Sequence, residues 1–260
     1  MLVRKMTLIY FSPTGNVAKT VRSIADGTGM GWDEIDLTRF EARWGKYQFG
    51  PDELVVFGFP VYGGRIPAIA SECLRCIEGS STPAVFVVSY GNRDYEDALF
   101  ELSRTFEPKG FQTIASAAFI GEHSICETIA KGRPDNSDRK VAFDFGRSVI
   151  QKLESVFASE QLSRVVPAGH YPYRAYSESS EPPETDENCV ACGLCAKECP
   201  MQAVNPENPG ETDAIRCLKC CRCIHLCPQS ARHFRREKVE RISNMLTEKA
   251  SARKEPILLI

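Results

Sequence analysis

No apolar run in this 260-residue chain approaches the ~20 residues a helix needs to cross a bilayer, so no membrane span is expected. Nor is there an excess of either charge. With 32 Lys and Arg against 34 Asp and Glu, the formal net charge is -2, and no basic domain or stripe of the kind that nucleic acid selects is expected. The apolar stretch MTLIYF behind Arg4 and Lys5 is shorter than the ~7–15 residues of a signal peptide's apolar core, and no small-residue cleavage site follows. A cytoplasmic location is the expectation. The first strand-to-helix turn has neither G-x-x-x-x-G-K-[ST] nor G-x-G-x-x-G, which disfavours nucleoside triphosphates and dinucleotides. What the chain does have is cysteine, 12 in all. In a reducing compartment these read as metal ligands and buried thiols rather than disulfides.

The cysteines divide the chain. Only Cys73, Cys76 and Cys126 precede residue 180, whereas the other nine lie between Cys189 and Cys227. Between the two regions SESSEPPETDE, residues 177–187, combines acids, prolines and hydroxyls without a base and reads as a solvated linker. Upstream, short apolar runs alternate with helix-length amphipathic ones: KMTLIYF, ELVVFGF, PAVFVVSY and FQTIASAAFI as strands, with WDEIDLT a weaker fifth. Five strands separated by helices predict a doubly wound α/β sheet of parallel strands, because parallel neighbours need crossovers. The expected organisation is a sheet domain over 1–165, a linker over 166–187, a small α+β cysteine-rich domain over 188–232 and a helical tail over 233–260.

Cys189-V-A-Cys192-G-L-Cys195-A-K-E-Cys199-Pro200 has the C-x2-C-x2-C-x3-C-P spacing, and Cys217-L-K-Cys220-C-R-Cys223-I-H-L-Cys227-Pro228 repeats it. This is the pattern of bacterial two-cluster ferredoxins, in which the fourth cysteine of each run serves the other run's cluster. Residues 187–232 resemble that family. The reading is one [4Fe–4S] cluster on Cys189, Cys192, Cys195 and Cys227, and a second on Cys217, Cys220, Cys223 and Cys199. Structural zinc is the alternative. Cys221 is surplus to this spacing and is expected to be a small apolar residue beside a cluster, or else a redox-sensitive thiol.

Ser12-Pro13-Thr14-Gly15-Asn16-Val17 follows the first strand and opens a helix, a geometry suited to one phosphate dianion. In a doubly wound sheet, ligands sit beyond the carboxyl ends of the strands. The loops expected there are Pro60-Val61-Tyr62-Gly63-Gly64-Arg65 and Ser89-Tyr90-Gly91-Asn92-Arg93-Asp94-Tyr95, each pairing aromatics with glycine. With these three loops in order, residues 5–160 resemble the flavodoxins. That resemblance implies FMN, with its phosphate on Ser12, Thr14, Gly15, Asn16 and Val17. Tyr62 and Tyr95 would then flank the ring, with Gly63 or Gly64 near its N5. Val17 and Asn92 depart from the family, which usually has a hydroxyl at the first position and an acid at the second.

The chain as a whole resembles the flavodoxin–ferredoxin fusion proteins of anaerobic bacteria and archaea. Electron transfer between clusters and flavin, and on to a redox partner protein, is the function this implies. The alternatives are a flavin-dependent reductase of a small substrate positioned by Arg65, Arg93 or His123, and a redox sensor. His123 could equally be a surface-loop histidine. Cys73 and Cys76 fall in the helix-like AIASECLRCIEG and read as core. The tail places Val239, Ile242 and Leu246 at helical spacing, so an amphipathic helix lying back on the protein is expected. A homodimer is expected if flavin and clusters prove distant within one chain.

Overall fold

The computed structural model describes residues 3–73, 75–159, 163–175 and 181–260. Along the chain run β1 (Lys5–Tyr10), α1 (Asn16–Thr28), β2 (Trp32–Asp36), β3 (Tyr47–Phe49), β4 (Glu53–Pro60), α2 (Ile69–Cys73), β5 (Ile77–Gly79), β6 (Thr82–Tyr90), α3 (Ala98–Phe106), β7 (Phe111–Ile120) and α4 (Asn136–Ser159). The remainder holds β8 (Glu184–Thr185), α5 (Leu194–Lys197), α6 (Arg222–His225), β9 (Arg232–His233), α7 (Arg236–Ala250) and β10 (Ile257–Leu259).

Five strands pair parallel in the order β2-β1-β4-β6-β7. This is the flavodoxin-like order of a doubly wound sheet. β4 and β6 are near-continuous apolar runs because both of their faces are covered. The period of two assigns those faces. Leu54 and Val56 join Val21 and Ile24 of α1 and Phe145 and Val149 of α4 on one side. Val55, Phe57 and Phe59 join Leu99, Leu102 and Phe106 of α3 on the other.

On the first side, α1 and α4 cross at backbone contact. A Cβ at Gly27 would lie 1.9 Å from the Phe143 carbonyl oxygen, and one at Gly146 would lie 2.0 Å from that of Ile24. The helices would have to separate to admit a methyl group. Gly146→Ala should therefore destabilise by about 1–3 kcal/mol, and thermal unfolding should show it as a midpoint lower by several degrees.

The structure corrects two expectations. The sheet has six strands rather than five, because β10 from the tail pairs antiparallel with β7, Ile257 opposite Ala118 and Leu259 opposite Ser116. That pairing covers what would otherwise be an open edge. The helix expected over AIASECLRCIEG stops at Cys73, and Ile77–Gly79 instead pair parallel with β3. The competing force is the Cys76 carbonyl, which accepts from the Tyr47 N–H at 2.7 Å and draws the chain into extended form. Leu74 lies outside the described residues, as does part of the segment read as linker. Of that segment, Glu184–Thr185 form β8 and pair antiparallel with β9.

The cysteine-rich region repeats itself structurally, at the constant offset that takes Cys189 to Cys217. Left-handed backbone falls at Ala191 and Lys219, at Gly193 and Cys221, and at Gln202 and Ser230. The turn of α5 is tied by Ala196 and Lys197 N–H groups to Gly193 O, and that of α6 by Ile224 and His225 N–H groups to Cys221 O. Cys221 thus stands where the first half has glycine. Its φ of 64° is one that a side chain adopts at some cost.

Contacts between the repeat and the elements around the sheet include polar ones at three points. Arg222 donates to the Pro13 carbonyl at 3.1 Å, His225 Nε2 meets the Ser124 carbonyl at 3.2 Å, and Arg43 Nη1 approaches Met201 Sδ at 3.8 Å. α7 follows and packs Leu246 and Ala250 against Cys126 and Ile129. No helix among the described residues is long and apolar enough to cross a membrane.

Candidate functional site

The first loop is held open from below. The Ser12 N–H donates to Thr38 Oγ1 at 2.8 Å, and Ser12 Oγ accepts from the Ala18 N–H at 3.0 Å. Gly15, with φ 86°, turns the chain into α1, whose first amides have no intrahelical acceptor. Ser12 Oγ spends a lone pair on Ala18 and keeps its proton to donate. Beyond β4, Tyr62 and Arg65 exchange backbone hydrogen bonds (2.9 and 3.2 Å) across Gly63 and Gly64, both at positive φ as a tight hairpin turn requires. Beyond β6, the Gly121 N–H donates to Tyr90 O at 2.9 Å and ties the third loop to the chain leaving β7.

These loops surround a cleft of ≈ 790 Å³. Ser12, Thr14, Asn16 and Val17 line it from the first loop, Pro60, Val61, Tyr62, Gly63 and Gly64 from the second, and Ser89, Tyr90 and Gly91 from the third. Arg93 and His123 line it too. The rest of the wall has no counterpart in the sequence reading. Besides Gly121, Glu122, Ser124 and Ile125 beside His123, it includes Ala214, Ile215, Cys217, Leu218 and Lys219 of the cysteine repeat, and Lys238 and Ile242 of α7. Contact between segments so far apart in sequence is announced by no local pattern.

Four residues expected at this site are not among those that line the cleft. Gly15, between the lining residues Thr14 and Asn16, contributes its backbone turn. Asn92 is buried and donates to the Ala250 and Ala252 carbonyls at 2.6 and 2.8 Å, so it caps the end of α7 instead of facing the cleft. Tyr95 packs on Tyr90, ring centroids 5.6 Å apart, leaving Tyr90 as the aromatic of that loop in the cleft wall. Arg65 is committed to Glu101 at 2.5 Å, lies over the Tyr173 ring at 4.8 Å and donates to Arg174 O at 2.6 Å. Arg93 pairs with Glu96 at 2.7 Å within the wall.

His123 is a half-buried group in the wall rather than a surface-loop residue. Its Nδ1 accepts from the Ile125 and Cys126 N–H groups at 3.3 and 3.1 Å, which puts the proton of the neutral ring on Nε2. Burial, aided by the Arg93 charge, pushes its pKa down from 6.5 to about 4. The unfolded imidazole therefore takes its proton first as pH falls. This contribution to stability is complete above pH 6.5 and is lost as pH drops toward 4. Chemical denaturation at pH 7 and pH 4.5 should differ by about 2–3 kcal/mol on this account. In His123→Asn, whose Oδ1 can still accept from the two amides, that part of the difference should vanish.

Of the cysteines, Cys199 from the first run shares a small cavity with Cys217, Cys220, Cys221 and Cys223 from the second. Cys199 Sγ accepts from the Ala203 N–H and Cys227 Sγ from the Ala231 N–H, both at 3.3 Å, equivalent bonds in the two halves. Burial pushes the Cys217, Cys220 and Cys223 thiols up. Cys192 is exposed. Cys221 is buried, its thiol pushed up to about 12 by burial, with Lys219 O 3.5 Å from its Sγ. Cys73 sits in the apolar core, and Cys76 donates to Arg43 O at 3.1 Å. Among the described residues no three His, Cys, Asp or Glu side chains are placed to hold a single metal ion.

No protein-family model matches the chain, and no curated protein does either. Solved structures of similar shape include an archaeal flavodoxin, 12% identical over 58% of this chain and 99% of its own, with TM-score 0.40. Oxidised flavodoxin 2 from Bacillus cereus is 14% identical over 57% of this chain and 99% of its own, with TM-score 0.42. Rubredoxin oxygen:oxidoreductase from the anaerobe Desulfovibrio gigas is 13% identical over 60% of this chain and 38% of its own, with TM-score 0.39.

Proposed function

We propose that this chain is an electron-transfer iron–sulfur flavoprotein. FMN occupies the cleft, one [4Fe–4S] cluster is held by Cys189, Cys192, Cys195 and Cys227, and a second by Cys217, Cys220, Cys223 and Cys199. The observation that carries the reading is that Cys217 and its neighbours Leu218 and Lys219 line the same cleft as the Ser12–Val17 loop. A ligand of the second cluster and the wall of the flavin site are thus one surface of one chain. Transfer between them needs no second subunit.

The cleft suits FMN in its chemistry. The start of α1, with the Ser12 and Thr14 hydroxyls, offers donors for one phosphate dianion. Tyr62 and Tyr90 supply aromatic faces, and Gly63 and Gly64 let backbone come close to a ring edge. A first-run thiol lies among those of the second run, the grouping a crossed cluster would use, whereas a zinc site would need four ligands converging at about 2.3 Å on one ion. Bound FMN exchanges electrons singly or in pairs, and each cluster exchanges one at a time. Exposed Cys192 makes the first cluster the accessible one, where a redox partner would deliver low-potential electrons or take them up.

A second reading is direct reduction of a small anionic substrate. Arg93, Lys219 and Lys238 in the wall, with a neutral His123 carrying its proton on Nε2, favour it. Protein purified without oxygen should hold about eight irons and one FMN per chain. Zinc in place of iron, or no yellow flavin absorbance, would reject the proposal. Rapid anaerobic reoxidation of the reduced protein by one small molecule alone, and not by ferredoxin-dependent enzymes, would select the second reading.

A further inference from the structure

Two arginines are buried without a carboxylate in ion-pair contact among the described residues. Arg232 is 2% exposed, and it occupies the position that Val204, 4% exposed, holds in the first half of the repeat. Its guanidinium donates to neutral oxygens, Thr185 Oγ1 (2.9 Å), Pro209 O (2.8 Å) and Thr212 Oγ1 (2.8 Å), and Nη2 lies 3.8 Å from Cys223 Sγ. Its Nε is buried without a partner among the described residues. Arg43 reaches the same region from the sheet domain. It is 6% exposed, with Nε on Leu37 O at 2.8 Å, Nη1 near Met201 Sδ, and Nη2 buried without a partner. Among the described residues neither arginine forms an ion pair with a carboxylate, although burying an unpaired charge costs several kcal/mol.

An anionic group between them would supply the missing counter-charge. Arg232 touches a sulfur of the second set, and Arg43 touches Met201, two residues past the crossed ligand Cys199. The Lys219 N–H donates to Cys217 Sγ at 3.4 Å, and the sulfur that Arg232 contacts is that of Cys223. The positive charge is therefore lopsided, and a symmetric pair of cysteine runs is set in an asymmetric field.

We propose that Arg43 and Arg232 are the counter-charges of the cluster on Cys217, Cys220, Cys223 and Cys199, making this inner cluster easier to reduce than the exposed one, so that electrons run inward to the cleft. The inference rests on the proposed function and adds a direction to it. Buried cations favour the more negative, reduced form of the cluster they face. Both are positioning residues that act through the cluster's field and need not touch flavin or substrate.

The test is an anaerobic redox titration followed by electron paramagnetic resonance, with iron counted in every sample. The Cys199→Ser variant, which should lack the inner cluster, identifies its signal. Wild type should show the inner cluster reduced before the outer. In Arg43→Met and Arg232→Met the reduced-to-oxidised ratio of the inner cluster at the wild-type midpoint should fall about tenfold, which for one electron is 59 mV. Arg232→Lys should restore most of it. An unchanged inner midpoint in both methionine variants at full iron would overturn the proposal. Iron lost from both variants would also overturn it, because the arginines would then hold the site together without setting its potential. If Arg232→Met alone loses iron, Arg43→Met decides. A wild-type protein without iron would instead reject the reading beneath it.

Discussion

Cys199→Ser is expected to remove the inner cluster and leave the outer one, so that about half of the bound iron is lost. The spacing of the two runs already groups Cys199 with the second run. In keeping with that grouping, Cys199 lines a cavity with Cys217, Cys220, Cys221 and Cys223. Pro200, directly after it, is where the chain leaves the first turn. The residual spectrum of Cys199→Ser should therefore match that of Cys220→Ser and differ from that of Cys192→Ser. Iron analysis and low-temperature electron paramagnetic resonance of the three variants check the grouping. If Cys199→Ser instead resembles Cys192→Ser, each run holds its own cluster and the crossed assignment is wrong.

The second large effect is expected at the other end of the path. Removing both loop hydroxyls, Ser12→Ala with Thr14→Ala, should weaken FMN binding about 10²–10⁴-fold, since hydrogen bonds to a charged group contribute roughly 1.5–3 kcal/mol each. Ser12→Ala also removes the acceptor for the Ala18 N–H in the first turn of α1, a hydrogen bond whose loss costs about 1 kcal/mol of stability. Riboflavin separates the two effects, because it has the ring and no phosphate. Titration of flavin-free protein should show FMN affinity falling while riboflavin affinity stays nearly constant. A parallel fall of both would mean that the loop shapes the ring site and does not bind phosphate.

Much of this architecture could be read from pattern because it is local. ELVVFGF and PAVFVVSY announce strands covered on both faces, and the amphipathic runs between them force parallel pairing. The Gly63-Gly64 pair announces its turn, and Ser12 to Val17 announce a phosphate-sized helix start. The constant offset between the cysteine runs is visible in the letters alone. What escaped the reading was set by distant partners. Ile77–Gly79 look like the end of a helix until β3 lies beside them. Ile257–Leu259 are a short apolar scrap that becomes a strand because β7 has an edge to cover. Asn92 sits in a loop that reads as ring-binding, yet the carbonyls it satisfies belong to residues 250 and 252. Arg65 has the charge to hold a substrate, but Glu101, on α3, takes it. Arg232 is one more base in the letters, but Thr185, Pro209 and Thr212 hold it buried at the position Val204 has in the first half of the repeat.

The central claim is that electrons pass between the clusters and the flavin inside a single chain. The measurement that reaches it most directly is anaerobic rapid mixing of the oxidised, fully loaded protein with a one-electron donor, following flavin bleaching after the clusters are reduced. The account predicts a first-order phase whose rate constant stays the same when protein concentration is raised tenfold, and whose amplitude disappears in Cys199→Ser. A rate proportional to protein concentration, or a phase that survives in Cys199→Ser, would contradict it.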